Sequence, residues 1–214
     1  MLIDLLPWRV TLPAMFILRC LIVGLIAGAL PFGRVAAQDG VAPATPEISS
    51  RLPDPKTELN DLFAALKREH DSDAALRIAG QVHAHLQDAG SPTINLLMEW
   101  ATKAIADKRN GTAFDLLDQV IYLSPDYVEG WNRRATLNYQ LGNYRKSMAD
   151  INRVLALEPR HFGALAGMAA ILAASGKDEL ALRAWNQVLE IYPAEKMAQE
   201  QVKVLSEKLD GQRT

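Results

Sequence analysis

Residues 131–159 of this 214-residue chain read WNRRATLNYQLGNYRKSMADINRVLALEP. The proline that closes this stretch, Pro159, has counterparts 34 residues before and after it, at Pro125 and Pro193. A period of about 20 to 50 residues is the sequence signature of a repeat architecture. The prolines divide the chain into three rows of 34 residues, which are 94–127, 128–161 and 162–195.

Glycine and proline predict where the helices of each row end. Gly142 and Gly176, also 34 residues apart, suit the positive φ angle that commonly terminates a helix. Pro159 and Pro193 fall just beyond a second helix, where the missing N–H of proline costs no helical hydrogen bond. Each row is therefore predicted to form a helix, a short turn, a second helix and another turn.

Corresponding columns of the three rows hold side chains of similar size. Small residues recur in the eighth and twentieth columns, at Ala101, Ala135 and Ala169 and at Ala113, Ser147 and Ala181. Larger residues recur in the fourth and twenty-fourth columns, at Leu97, Trp131 and Leu165 and at Leu117, Ile151 and Trp185. Because the side chains at a contact set the distance between two helices, the small columns predict where helices approach closely.

This pattern resembles the tetratricopeptide repeat (TPR) family. The residues that carry the resemblance are Trp131, Ala135, Gly142, Tyr144, Pro159, Leu165, Ala169, Gly176, Ala181, Trp185 and Pro193. Three positions depart from the family pattern: Lys108 replaces a turn glycine, and Trp100 and Arg134 occupy a column that is usually leucine or another apolar residue. The resemblance implies an all-α solenoid of helix-turn-helix repeats, and the chain looks like the small exported TPR proteins of Gram-negative bacteria.

Helical spacing of apolar residues extends the prediction beyond the three rows. Residues 57–93 are expected to form a degenerate helical pair, with a turn and an N-cap at 70–73. Residues 196–210 are expected to form one helix with a polar outer side, which suits the cap that a solenoid needs at its end. The predicted total is nine helices. Asp126 and Glu129 have the spacing of a capping box at the start of the helix that carries Trp131.

The first 37 residues have the pattern of a secretory signal peptide. An uncharged apolar stretch, Cys20 to Gly33, lies between two arginines and precedes Val35-Ala36-Ala37. We expect cleavage after Ala37 and export to the periplasm, with either Met1 or Met15 as the start. The alternative is an uncleaved anchor in the inner membrane. Residues 38–56, which contain four prolines, are expected to be a flexible linker.

Charge and cysteine content exclude several classes of function. The net charge of −2 does not suggest a nucleic-acid partner. Cleavage after Ala37 would remove three arginines, one aspartate and the sole cysteine, so no disulfide or thiolate would remain. His83 and His85 lie two residues apart and therefore point to different sides of a helix. We expect no catalytic residues, no cofactor, no metal and no small-molecule substrate.

By resemblance, the first helix of each row lines a concave groove that binds another protein or a peptide. The groove residues this implies are Asn95, Met98, Thr102, Ile105, Ala106, Glu129, Asn132, Thr136, Tyr139, Gln140, Gly163, Ala166, Ala170, Ala173 and Ala174. The alanines of the third row form a smooth floor that could hold a foreign helix or the C-terminal helix of the chain itself. Met98 and Thr102 replace the lysine and asparagine of the family's carboxylate clamp, so a clamp for peptide C-termini is not expected.

Arg134 has two interpretations. Its column predicts partial burial, and a buried arginine needs a carboxylate, for which Asp150 is the candidate. Alternatively, Arg134 belongs to a local basic excess that attracts an acidic partner or an anionic polymer, together with Arg133, Arg145, Lys146, Arg153 and Arg160. The function that follows is a periplasmic adaptor or scaffold for the cell envelope. A membrane-tethered structural subunit with a retained N-terminus is the alternative, and an enzyme is the least favoured.

Overall fold

The computed structural model describes residues 55–211, in which all regular secondary structure is helical. The helices of this range are α1 Pro55–Arg68, α2 Ser72–Gln87, α3 Pro92–Ala106, α4 Asn110–Leu123, α5 Val128–Gln140, α6 Tyr144–Leu157, α7 Phe162–Ala174, α8 Asp178–Ile191 and α9 Lys196–Gly211. The prediction of nine helices is thus confirmed for the described residues. Residues 1–54, which include the predicted signal peptide 1–37 and most of the predicted linker 38–56, lie outside this range. Residues 55 and 56, placed at the end of the linker, begin α1 instead.

Helices α3 to α8 form three successive pairs, one in each row of the sequence. The turn inside each pair contains one residue with positive φ, namely Lys108 at 58°, Gly142 at 73° and Gly176 at 69°. The predicted role of the two glycines is confirmed. Lys108 adopts the same left-handed conformation with a side chain, which costs roughly 1–2 kcal/mol. The repeat geometry therefore imposes this turn even where the sequence does not favour it.

The small columns lie where the two helices of a pair meet. Ala101, Ala113, Ala169 and Ala181 are fully buried. In the middle pair, the hydroxyl of the buried Ser147 donates to the carbonyl oxygen of Ala135 at 2.8 Å. Ser147 is the one residue of the two small columns with a polar side chain, and this bond satisfies its hydroxyl. The close approach predicted from the columns is confirmed.

Helices α1 and α2 form a hairpin that packs across the repeats and does not continue their stack. Its core residues Phe63, Leu66 and Val82 join Tyr192 and Ala194, which follow α8. At the other end of the hairpin, the Tyr127 hydroxyl donates to the carbonyl oxygen of Gln87 at 2.6 Å. A further repeat before the first one would pack on α3, as α4 packs on α5 and α6 on α7. The hairpin instead lies against the turns between repeats and the starts of the first helices.

Of the two helix caps predicted from the sequence, one is confirmed and one is wrong. Asp71 caps α2 by accepting a hydrogen bond from the N–H of Ala74 at 2.8 Å, as predicted. The capping box of Asp126 and Glu129 is wrong, because α5 begins after Tyr127 and no side chain caps its N-terminus. The carboxylate of Glu129 instead lies 3.0 Å from the ring of His161, the residue before α7.

Helix α9 closes the C-terminal end of the stack. Its buried residues Ala198 and Leu205 join the core of α7 and α8, and Lys208 pairs with Asp178 at the start of α8 at 2.6 Å. Helix α9 packs chiefly on α8. Ala174 at the end of α7, one of the alanines predicted to form the groove floor, is exposed. Among the described residues, no helix has both the length and the apolar character that a membrane span requires.

Candidate functional site

A cavity of about 500 Å³ lies on the concave side of α3. Three predicted groove residues, Asn95, Met98 and Thr102, line it together. Helix α2 contributes a wall through Gln87, and Arg133 of α5 reaches it from the next repeat. The further lining residues are Glu99, Lys103, Ala106 and Tyr127. The hairpin thus makes this part of the groove deeper than three repeats alone would.

A second, smaller cavity of about 150 Å³ lies between α5 and α7. Asn132, Thr136 and Tyr139, three of the predicted groove residues, form one side, and Gly163 and Gly167 form part of the other. The two glycines are one helical turn apart, so their missing side chains leave space along one face of α7. Tyr139 leaves 39% of its surface exposed and lies against the ring of Tyr144, with centroids 5.6 Å apart.

Other predicted groove residues do not line either cavity. Gln140 is exposed at the end of α5, whereas Ala166 and Ala170 are half-buried on α7. Glu129 is fully buried, so its assignment to the groove surface is wrong. Its burial follows from contacts between repeats and from the hairpin, neither of which the 34-residue frame contains.

Glu129 forms a buried hydrogen-bond network with two partners. One carboxylate oxygen lies 3.0 Å from Nε2 of His161, and the other accepts from Nδ2 of Asn132 at 2.9 Å. Nδ1 of His161 accepts from the N–H of Ala164 at 3.0 Å and so caps α7. Since Nδ1 is the acceptor, the proton of a neutral His161 is on Nε2 and is donated to Glu129. The network joins the starts of α5 and α7.

The electrostatics of this network keep Glu129 ionised. Burial raises the pKa of the Glu129 carboxyl, but the hydrogen bonds from His161 and Asn132 and the nearby His83 more than offset this, so its pKa lies below the ordinary value. His83 belongs to α2, so the hairpin contributes to the field at Glu129. Nothing in the sequence pattern linked His161 to Glu129, since the two residues lie 32 positions apart, at opposite ends of the row 128–161.

Several polar groove residues are already engaged within the chain. Asn95 donates to Asp88 at 2.9 Å and accepts from the N–H of Ala89 at 3.0 Å, which braces the turn between α2 and α3. Asn132 holds Glu129, as described. Thr102 and Thr136 donate to backbone carbonyls of their own helices at 2.8 and 2.9 Å. The groove therefore offers a partner mainly shape and apolar surface, together with Tyr139 and the charged groups near α3.

Comparison with known proteins supports the repeat assignment. A TPR repeat-containing protein of Rhizobium etli is 57% identical over 184 residues, which cover 86% of this chain and 89% of the relative. The chain belongs to the TPR repeat protein family. No protein-family model matches the chain.

Solved TPR structures share the fold at low sequence identity. The first TPR domain of Spaghetti (RPAP3), determined with the HSP90 peptide SRMEEVD, has a TM-score of 0.52 and 22% identity over 55% of this chain and 93% of that domain. The TPR domain of Sgt2 from Aspergillus fumigatus has a TM-score of 0.52 and 17% identity, covering 58% of this chain and 84% of that domain. A structure of MamA has a TM-score of 0.51 and 16% identity, covering 65% of this chain and 80% of that one.

Arg134, which departs from the TPR pattern, is the centre of an ion-pair cluster. Its guanidinium binds both carboxylate oxygens of Asp150 at 3.0 and 2.7 Å. A third bond joins it to Asp118 of the preceding TPR at 2.6 Å. The predicted partner of Arg134 is confirmed. Arg134 also lies over the ring of Trp131, 5.0 Å from its centroid, so its contacts join two TPR units.

The other arginines of the middle TPR are also paired in part. Arg153 lies 3.3 Å from Asp126, and Arg160 binds Glu158 at 2.8 Å while covering the ring of Phe63 in the hairpin. Arg145 and Lys146 are exposed.

The structure offers no arrangement for metal chemistry within residues 55–211, where no cluster of three or more potential ligands occurs. The histidines serve other purposes or face solvent. His161 caps α7, and His83 lies 2.7 Å from the amide nitrogen of Gln87. The TPR fold is typically a non-catalytic scaffold for interactions.

Proposed function

We propose that this TPR protein is a non-enzymatic adaptor that binds a segment of another protein in its concave groove. The observation that carries the proposal is the cavity of about 500 Å³ formed by α2, α3 and the start of α5. It joins an apolar floor at Met98 and Ala106 with the charged group of Arg133. Such a mixture suits a peptide or helix with one apolar anchor, because the polar groups fix its orientation.

The fold supports a peptide or protein as the partner. In a TPR domain of the same fold, the first TPR domain of Spaghetti, an HSP90 peptide is bound. That peptide ends in acidic residues, whereas Met98 and Thr102 of this chain offer no ionic contact. We therefore propose a partner recognised by shape and apolar contact rather than by its terminal carboxylate.

Filling the groove tests this function. Thr102 and Thr136 are exposed on the concave side, so the double substitution Thr102→Arg/Thr136→Arg adds bulk without disturbing the core. Ala156→Arg, at an exposed position of α6, is the matched control. Crosslinking and affinity capture from the envelope fraction should recover a partner with the wild type and the control but not with the double variant. Equal recovery with a folded double variant would refute groove binding.

We further propose that the protein acts in the periplasm and serves assembly or maintenance of the cell envelope. The signal-peptide pattern of residues 1–37 supports export. N-terminal sequencing of the protein from the envelope should give Gln38 as the first residue. An intact N-terminus in the membrane fraction would favour the alternative, a structural subunit tethered to the inner membrane.

A further inference from the structure

The second and third repeats show what normally covers the outer side of a first helix. A Cβ atom on Gly130 of α5 would lie 2.9 Å from Cγ1 of Val120 in α4. One turn further along α5, Arg134 binds Asp118 of α4. In the third repeat, Ala164 and Met168 pack with Val154 and Ile151 of α6. The third and seventh columns thus face the second helix of the preceding repeat.

The first repeat presents the same columns without such a helix. Leu96 and Trp100 occupy them, and they leave 43% and 50% of their surfaces exposed. Lys103 is exposed in the tenth column, where Leu137 and Ile171 are buried in the next two repeats. We call Leu96, Trp100 and Lys103 the end face of the stack.

Within residues 55–211, no helix covers this end face. The α1–α2 hairpin, which precedes α3, packs against Tyr192 and Ala194 at the far repeat. At the opposite end, α9 closes the stack. In the part of the chain that the structure describes, the solenoid is therefore covered at one end and open at the other.

We propose that a second copy of this chain covers the end face, with the two α3 helices packed antiparallel about a two-fold axis. A two-fold contact requires a self-complementary surface, in which each residue of one copy meets its counterpart on the other. Glu99 and Lys103 meet this condition, since both are exposed on α3 and lie four residues apart beside Trp100. With the axis level with residue 101, each Glu99 faces the Lys103 of the other copy, and the two Trp100 rings meet next to the axis.

The size of the end face sets the expected strength of the dimer. One helix pair offers less area than the interfaces of about 1,200–2,000 Å² that hold stable complexes. We therefore expect association in the micromolar range. Sedimentation of the exported chain over about 1–100 µM should show its mass rising from that of one chain towards that of two. A single-chain mass at every concentration would overturn the proposal.

Substitution locates the contact. Trp100→Glu should leave the protein monomeric over the whole concentration range, while Tyr122→Glu should not change the association. Tyr122 is a fair control because it is an aromatic residue of the same repeat with 85% of its surface exposed. Circular dichroism would check that both variants fold. A dimer that persists in folded Trp100→Glu would show that the contact lies elsewhere.

Charge exchange tests the two-fold arrangement itself. Glu99→Lys places like charges in both pairs, and so does Lys103→Glu, so each single variant should dimerise at least tenfold more weakly than the wild type. An equimolar mixture of the two single variants should recover association, because each pair then contains opposite charges. If the single variants dimerise as well as the wild type, or the mixture does not recover, the antiparallel pairing is wrong.

Discussion

Replacing Arg134 with alanine is expected to lower the free energy of unfolding by about 3–5 kcal/mol, the usual cost of removing one partner of a buried ion pair. Asp150 keeps only 7% of its side chain exposed, and without the guanidinium its carboxylate loses its two shortest hydrogen bonds. Asp118 is 61% exposed and should contribute little. A domain of this size has a total stability of about 5–15 kcal/mol, so the change would be readily visible.

The assay is urea unfolding followed by circular dichroism at 222 nm, with an unchanged slope expected. The third repeat supplies a compensating variant, since Met168, Leu172 and Ala184 occupy the columns of Arg134, Asn138 and Asp150. The triple substitution Arg134→Met/Asn138→Leu/Asp150→Ala removes all three buried polar groups together and should restore most of the stability. If Arg134→Ala stays within about 1 kcal/mol of the wild type, the ion pair does not stabilise the fold. Loss of partner capture with full stability would assign Arg134 to binding.

Four further substitutions test local features. Lys108→Gly should raise the free energy of unfolding by about 0.5–1 kcal/mol, because glycine adopts the left-handed conformation without strain. Gly142→Ala should lower it by a similar amount. Urea unfolding measures both changes. Glu129→Gln should lower the free energy of unfolding by about 1–3 kcal/mol at neutral pH. Because the pKa of Glu129 lies below its ordinary 4.5, the difference in unfolding free energy between the variant and the wild type should shrink as the pH falls below 4.5. A difference that stays constant with pH would contradict an ionised Glu129. Tyr127→Phe removes the bond to Gln87 and should cost about 1 kcal/mol, with faster amide exchange in α2; unchanged exchange would show that this bond does not hold the hairpin.

The features that sequence could predict are those that recur with the period. Gly142 and Gly176 identified the turns, and the small columns identified the helix contacts. The partner of Arg134 could also be predicted, because a cation in an apolar column requires a carboxylate nearby on the facing helix. Each of these inferences compares one repeat with another and needs no knowledge of distant contacts.

The features that sequence could not predict involve parts of the chain outside the period. The hairpin has no counterpart in the other rows, so neither its docking site nor its effect on Glu129 could be read from columns. Asn95 and Asn132 occupy groove columns, yet each serves a contact within the chain. A column therefore predicts the direction in which a side chain points but not the hydrogen-bond partners that it finds there.

The hairpin also has a consequence for the number of repeats. Repeat arrays usually gain and lose units easily, because each unit contacts only its neighbours. Here α2 has 16 residues and is about 24 Å long, close to the distance across three first helices spaced about 8–10 Å apart. The hairpin contacts the last repeat at Tyr192 and the start of the middle repeat at Tyr127. Inserting a fourth repeat between them would separate these anchor points. We therefore expect the docked hairpin to limit the array to three repeats and to link the unfolding of its middle and last members.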